Sequence, residues 1–131
     1  FDVGVAASIT KQTFEVEKGE WFGKAFEHFM LMEIVAYNSY NELDFPVNFW
    51  RTKSGLEVDF VLGGGDVAIE VKSTNRIEKK NLRPLMSFAD TYSPRKALVV
   101  CNEKAERIHE NIQIMPWRKF LNDLWEGRII R

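Results

Sequence analysis

The stretch Gly55–Thr74, GLEVDFVLGGGDVAIEVKST, decides the fold. Two apolar runs, Leu56–Leu62 and Val67–Lys72, flank the glycine-rich GGGD, which reads as an antiparallel hairpin. A strand has a period of two, so Leu56, Val58, Phe60 and Leu62 oppose Glu57, Asp59 and Val61, while Val67, Ile69 and Val71 oppose Ala68, Glu70 and Lys72. With Leu62 facing Val67, Asp59 meets Glu70 and Glu57 meets Lys72, all on one face. A slip of one residue would move Asp59 to the side of Ile69, so the apolar pattern selects this register. Like charges directly opposite on a sheet cost up to about 1 kcal/mol, more when partly buried. A cation is therefore expected between the carboxylates: Lys72, or a hard divalent ion with oxygen ligands. An ordinary ion-pair cluster, with Glu57 bound to Lys72 and the other two acids solvated, fits the same pattern.

Outward from the hairpin, KSG forms a turn and Phe49–Thr52 a preceding strand, which completes a three-stranded meander. Before it, residues Gly19 to Asn38 carry a helical stripe of Phe22, Ala25, Phe26, Phe29, Met32 and Ala36, with Glu27 beside it. After it, Ser73–Asn75 supply helix-start chemistry, and Ile77, Leu82, Leu85, Met86 and Ala89 predict a helix interrupted near Pro84. KALVVC, at Lys96–Cys101, is a strand apolar on both faces, reached through that helix by a parallel crossover. Glu103–Asn111 is expected as a helix, Ile112–Met115 as a last strand and Pro116–Trp125 as a closing helix. The fold class is thus α/β: a mixed sheet, antiparallel meander plus βαβ crossover, flanked by helices.

The chain has 131 residues, one domain's worth, with 45% hydrophobic residues, ten Phe and four Trp to build a core. No apolar run approaches the roughly 18 residues that cross a bilayer, and a single cysteine, Cys101, fits a reducing, cytoplasmic compartment. The net charge of -1 gives no general basic character, so a nucleic-acid surface would have to be local. Arg76, Lys79, Lys80 and Arg83 form one basic cluster that could follow a phosphate backbone or simply be solvated. The chain begins on Phe1 inside an apolar segment, with a short helix expected at Val5–Ile9, and reads as a fragment. Residues 1–18 would continue a missing upstream region, and 19–131 would form the domain.

An acid on one strand followed after a turn by Glu-x-Lys on the next, here Asp59 and EVK, resembles the PD-(D/E)XK nuclease superfamily, whose restriction-endonuclease-like core has this order of elements. GKAFEHFMLMEI (Gly23–Ile34), WRTKSGLEVDFVL (Trp50–Leu62) and AIEVKST (Ala68–Thr74) are similar to its first-helix, second-strand and third-strand motifs. With FDVGVAASI at the start and IMPWRKFL near the end, they resemble the C-terminal domain, of unknown function, of predicted prokaryotic AAA-type ATPases. The resemblance implies an ATPase upstream in the same protein. GGGD lacks the Lys and Ser/Thr of a phosphate-binding loop, so ATP binding is not expected of this chain.

Carried over residue by residue, the resemblance implies that Asp59 and Glu70 bind Mg²⁺ or Mn²⁺, that Lys72 is the lysine of the third motif and that Glu27 is the acid of the first helix. Val58 stands where the superfamily's name has proline, and the glutamine common on the following helix is not evident. Lys72 would orient a water and neutralise phosphate, Glu27 would complete the ligand set or bind a second ion, and Glu57 would position Lys72. Ser73 and Thr74 read as a helix cap or as phosphate ligands. His28 and His109 stand alone, and the four tryptophans, Trp21, Trp50, Trp117 and Trp125, are expected in the core. Three functions follow: a metal-dependent nuclease acting on DNA in the first place and on RNA in the second, a nuclease fold that binds without cutting, or a protein-interaction platform for the ATPase.

Overall fold

A computed structural model describes residues 20–131, so the short helix expected at Val5–Ile9 and the expected upstream segment 1–18 lie outside the described residues. The apolar periodicities become helix α1 (Glu20–Tyr40), strands β1 (Val47–Arg51), β2 (Glu57–Leu62) and β3 (Val67–Val71), a 3₁₀ turn (Lys79–Leu82), and helix α2 (Arg83–Tyr92). Strands β4 (Lys96–Cys101), β5 (Arg107–His109) and β6 (Ile112–Pro116) and helix α3 (Trp117–Trp125) complete the order. The six strands form one mixed sheet in the order β1-β2-β3-β4-β6-β5. β1, β2 and β3 pair antiparallel, whereas β3 pairs parallel with β4 and β4 parallel with β6, which realises the expected α/β class, meander and crossover. No helix among the described residues is long and apolar enough to cross a membrane.

β3 and β4 hold the centre of the sheet, and all five residues of β3 are buried. One apolar layer joins Phe26, Met30 and Ile34 of α1 to Phe60, Ile69 and Val71 of the sheet and to Phe120 and Leu124 of α3. The opposite layer joins Leu85 and Phe88 of α2 to Val61, Ala68, Val99 and Ile114. Burying side chains of this size contributes about 1.5–3 kcal/mol each. The helix stripe differs from the expected one: Met30, Ile34 and Tyr37 are buried, while Ala36 is exposed. Larger side chains one step round the helix bury more apolar area, which rotates the buried face by one residue.

Three local expectations are corrected. Glu103–Asn111 is not helical; Arg107–His109 pairs antiparallel with Ile112–Ile114 through a turn whose central residues, Glu110 and Asn111, have φ of 49° and 68°. Positive φ at both positions is the geometry that two-residue hairpin turns need, and asparagine tolerates it well. Ser73–Asn75 do not begin a helix: Thr74 Oγ1 accepts the Arg76 N–H, the chain bends at Asn75–Arg76, and helical turns start only at Lys79. Of the tryptophans, Trp50 and Trp117 pack against the core, but Trp21 and Trp125 are exposed.

Glu103 fastens the loop after β4. Its carboxylate accepts the Ile77 N–H (2.6 Å) and bonds to Arg107 Nε and Nη2 (2.8 and 2.9 Å), and the Arg107 guanidinium holds its pKa below the usual carboxylate value. Glu103→Ala leaves the Ile77 amide without its acceptor and the Arg107 guanidinium with only the Ile77 carbonyl, and is expected to cost about 1–3 kcal/mol, read as a lower urea midpoint. A depressed pKa stabilises the fold above the unfolded value and is lost as pH falls, so the gap between parent and variant should close in acid.

Candidate active site

The hairpin register is the expected one where the strands pair: Leu62 faces Val67, Val61 faces Ala68 and Phe60 faces Ile69. Beyond Phe60 the ladder stops. On the other edge of β2, Asn48 faces Val61 but Trp50 faces Val58, so Phe49 alone opposes both Asp59 and Phe60. This is a β-bulge, which bends the strand and re-aims the side chain at the extra residue. It also shifts the phase of the strand. Val58 joins the α2 layer, whereas Phe60 and Leu62 belong to the α1 layer. Alternation about Val58 then turns Glu57 and Asp59 toward α1, where both raise the pKa of Glu27.

The four charges therefore do not share one face, as strict alternation had implied. Glu70 has the parity of Ala68, which lies in the α2 layer. The two acids nevertheless meet in the seam between β2 and β3. The Asp59 N–H donates to Glu70 Oε1 (3.2 Å) and the Val71 N–H donates to Asp59 Oδ2 (2.8 Å). Each carboxylate thus satisfies a backbone amide of the other strand, replacing ladder bonds that the splayed strands no longer make. β3 meanwhile continues along β4, with the Lys72 N–H donating to the Val100 carbonyl (2.9 Å).

Glu70 is 3% exposed, and Lys72 Nζ stands 3.9 Å from Glu70 Oε2 on a side chain that is 41% exposed. Burial, then the hydrogen bond to Asp59 and its negative charge, push the Glu70 carboxyl up to about 9, and Lys72 offsets only part of this. Glu70 is thus held protonated at neutral pH beside the charge of Asp59. Glu27 is pushed up in the same direction, by burial and then by the charge of Asp59, with Lys72 opposing. A Cβ added at Gly23 would lie 3.7 Å from Ser73 Oγ, so the start of α1 rests on the end of β3.

Glu57 does not position Lys72; it pairs with Arg51 across the β1–β2 hairpin at 2.8 Å. Of the basic cluster, Arg76 lines a hollow at the strand ends, while Lys79 and Lys80 ride the exposed 3₁₀ turn and Arg83 opens α2. Cys101 is buried, with Sγ 3.6 Å from the Met115 carbonyl, as a core residue should be.

A family model described as a domain of unknown function, DUF4143, matches residues 22–120. The chain belongs to the DUF4143 family. No curated protein and no solved structure matches it. The DUF4143 match runs from α1 into α3 and includes Glu27, Asp59, Glu70 and Lys72. Among the described residues, no group of three or more His, Cys, Asp or Glu stands ready to hold a metal ion. In this DUF4143 domain the converging donors are the pair Asp59 and Glu70. Mg²⁺ commonly takes one or two carboxylates and completes its shell with waters and substrate phosphate, so a pair fits that ion's habit.

Proposed function

We propose that this domain is a nuclease of the PD-(D/E)XK type, which hydrolyses phosphodiester bonds of nucleic acid, with DNA as the first candidate substrate and RNA as the second, with Mg²⁺ or Mn²⁺ held by Asp59 and Glu70. The observation that carries the reading is the meeting of these carboxylates in the splayed β2–β3 seam, with the Lys72 ammonium beside them. A buried acid, Glu70, set against the half-buried Asp59 with one cation 3.9 Å away is costly as pure architecture, and such costs concentrate at functional sites. The bound ion would polarise a phosphoryl oxygen and lower the pKa of a coordinated water. Lys72, half in solvent, would hydrogen-bond the attacking water and offset charge that builds on the phosphate. Glu27, reaching in from α1 and coupled to Asp59, would accept a proton or hold a second ion through water. The resemblance to ATPase C-terminal domains supports placing this module under the control of an ATPase in the same protein.

A binding module that does not cut is the second reading, and one observation favours it: Glu27 does not join the acid pair in a three-ligand group. Calorimetry with Mn²⁺, followed by cleavage assays on plasmid and branched DNA, separates the two. Micromolar to millimolar binding that vanishes in Asp59→Ala and Glu70→Ala supports the metal site. Cleavage reduced at least a hundredfold by Lys72→Ala supports the hydrolase, whereas metal binding without cleavage selects the second reading. A parent that binds no divalent ion rejects both the metal and the hydrolysis.

A further inference from the structure

Two hollows of about 760 and 700 Å³ adjoin at the carboxyl ends of β3, β4 and β6, sharing Asn75, Asn102, Glu103 and Lys104. In open α/β sheets this edge is where ligands collect. One hollow extends past Pro116 to Arg118 and Lys119 at the start of α3, and the other extends to Arg76 and Arg107. Five cations line the combined trough against the two acids Glu103 and Glu106, in a chain whose net charge is -1. Two of the cations are already engaged, Arg107 with Glu103 and Lys119 with Asp123. Arg76, Lys104 and Arg118 form no ion pair among the described residues. The Arg118 guanidinium lies 4.9 Å over the Trp117 ring, which holds its charge against the trough wall.

The trough begins close to the acid pair. Asn75 is three residues beyond Lys72, a reach of at most about 11 Å, and the Asn102 N–H pins this segment to β4 through the Thr74 carbonyl (2.9 Å). At a rise of about 3.4 Å per nucleotide, that reach is about three steps of a strand.

We propose that this trough carries the phosphodiester backbone of a nucleic-acid strand, with Lys104 and Arg118 as its principal phosphate contacts and Arg76 at the end nearest the acids. The assignment moves the binding surface from the α2 flank to the strand ends. It rests on the nuclease reading for the direction in which the strand runs; the binding itself does not need the acid pair to be active.

The test is fluorescence anisotropy in EDTA with labelled single-stranded DNA, duplex DNA and RNA of one sequence, titrated at several salt concentrations. The double variant Lys104→Glu/Arg118→Glu should lose at least tenfold in affinity, with the slope of log K against log salt shallower by about one to two. Glu106→Gln should bind more tightly, and Lys96→Glu, at the opposite end of β4, should stay within twofold of the parent. A melting curve accompanies each variant, and Lys104→Gln/Arg118→Gln replaces the reversal if its midpoint falls. Parent protein that binds no nucleic acid, a double variant within twofold of the parent, or equal binding of polyglutamate would overturn the proposal. Binding lost in the double variant of a protein that never cleaves leaves the trough assignment standing and removes the hydrolase reading. Cleavage that is indifferent to the double variant does the reverse.

Discussion

Glu70→Gln should raise the unfolding free energy at pH 8, by on the order of 2–4 kcal/mol, and abolish divalent-ion binding in the same protein. The first effect follows from the raised pKa of Glu70, pushed to about 9 by burial and by Asp59. An acid whose folded pKa exceeds its unfolded value binds more protons when folded. Its contribution is complete below the unfolded value near 4.5 and is lost as pH rises through the folded one. Glutamine reproduces the protonated acid at every pH: its Oε1 can still accept the Asp59 N–H, and its amide can donate where the acid proton did. The difference between variant and parent should therefore be small at pH 5 and grow by up to about 1.4 kcal/mol per pH unit toward pH 8. Chemical denaturation at three pH values measures it. A difference that does not change with pH would mean that Glu70 is already ionised in the fold. The second effect shares this origin, since an ion must displace the proton that the seam retains, so parent affinity for Mn²⁺ should climb with pH and binding should release protons.

The hairpin register was legible because an apolar alternation of two tolerates no single-residue slip, and Leu62 does face Val67. The parallel crossover was legible because KALVVC has no polar face to give to solvent. The bulge at Asp59–Phe60 left no mark in the pattern, since Val58 is equally apolar in either layer and both layers were available to it. The helix expected at Glu103–Asn111 failed for a different reason. Its charges suit an exposed helix, but Arg107 and Glu103 are committed to Ile77, and that tertiary clamp outweighs weak local propensity. Lys104 and Arg118 escaped notice as a pair because 14 positions separate them along the chain, and only the parallel order of β4 and β6 brings their strand ends side by side.

Asp59→Asn and Asp59→Ala should part company, and their divergence tests whether the seam is built for chemistry or for packing. In the parent, Asp59 Oδ2 accepts the Val71 N–H at 2.8 Å while its own N–H is bound to Glu70. Asparagine keeps an acceptor for Val71 and offers an amide to Glu70, so the strands should stay joined and stability should fall by less than about 1 kcal/mol. Alanine leaves the Val71 amide unpartnered in a strand buried along its length, a loss of about 1–3 kcal/mol, and frees Glu70 from the neighbouring negative charge. Both variants remove the anionic oxygen that an ion would need, so both should lose Mn²⁺ binding and at least a thousandfold of any cleavage. The informative combination is a stable, metal-blind Asp59→Asn. Were asparagine instead to bind Mn²⁺ as the parent does, Asp59 would be a structural bridge between splayed strands, and the site would have to lie elsewhere. The bulge argues against that outcome, because an uninterrupted β2 would pair Asp59 with the β3 backbone at no cost in buried charge. On the nuclease reading, the extra residue in β2 serves to aim a carboxylate into the seam, where it also takes the Val71 N–H in place of a ladder acceptor.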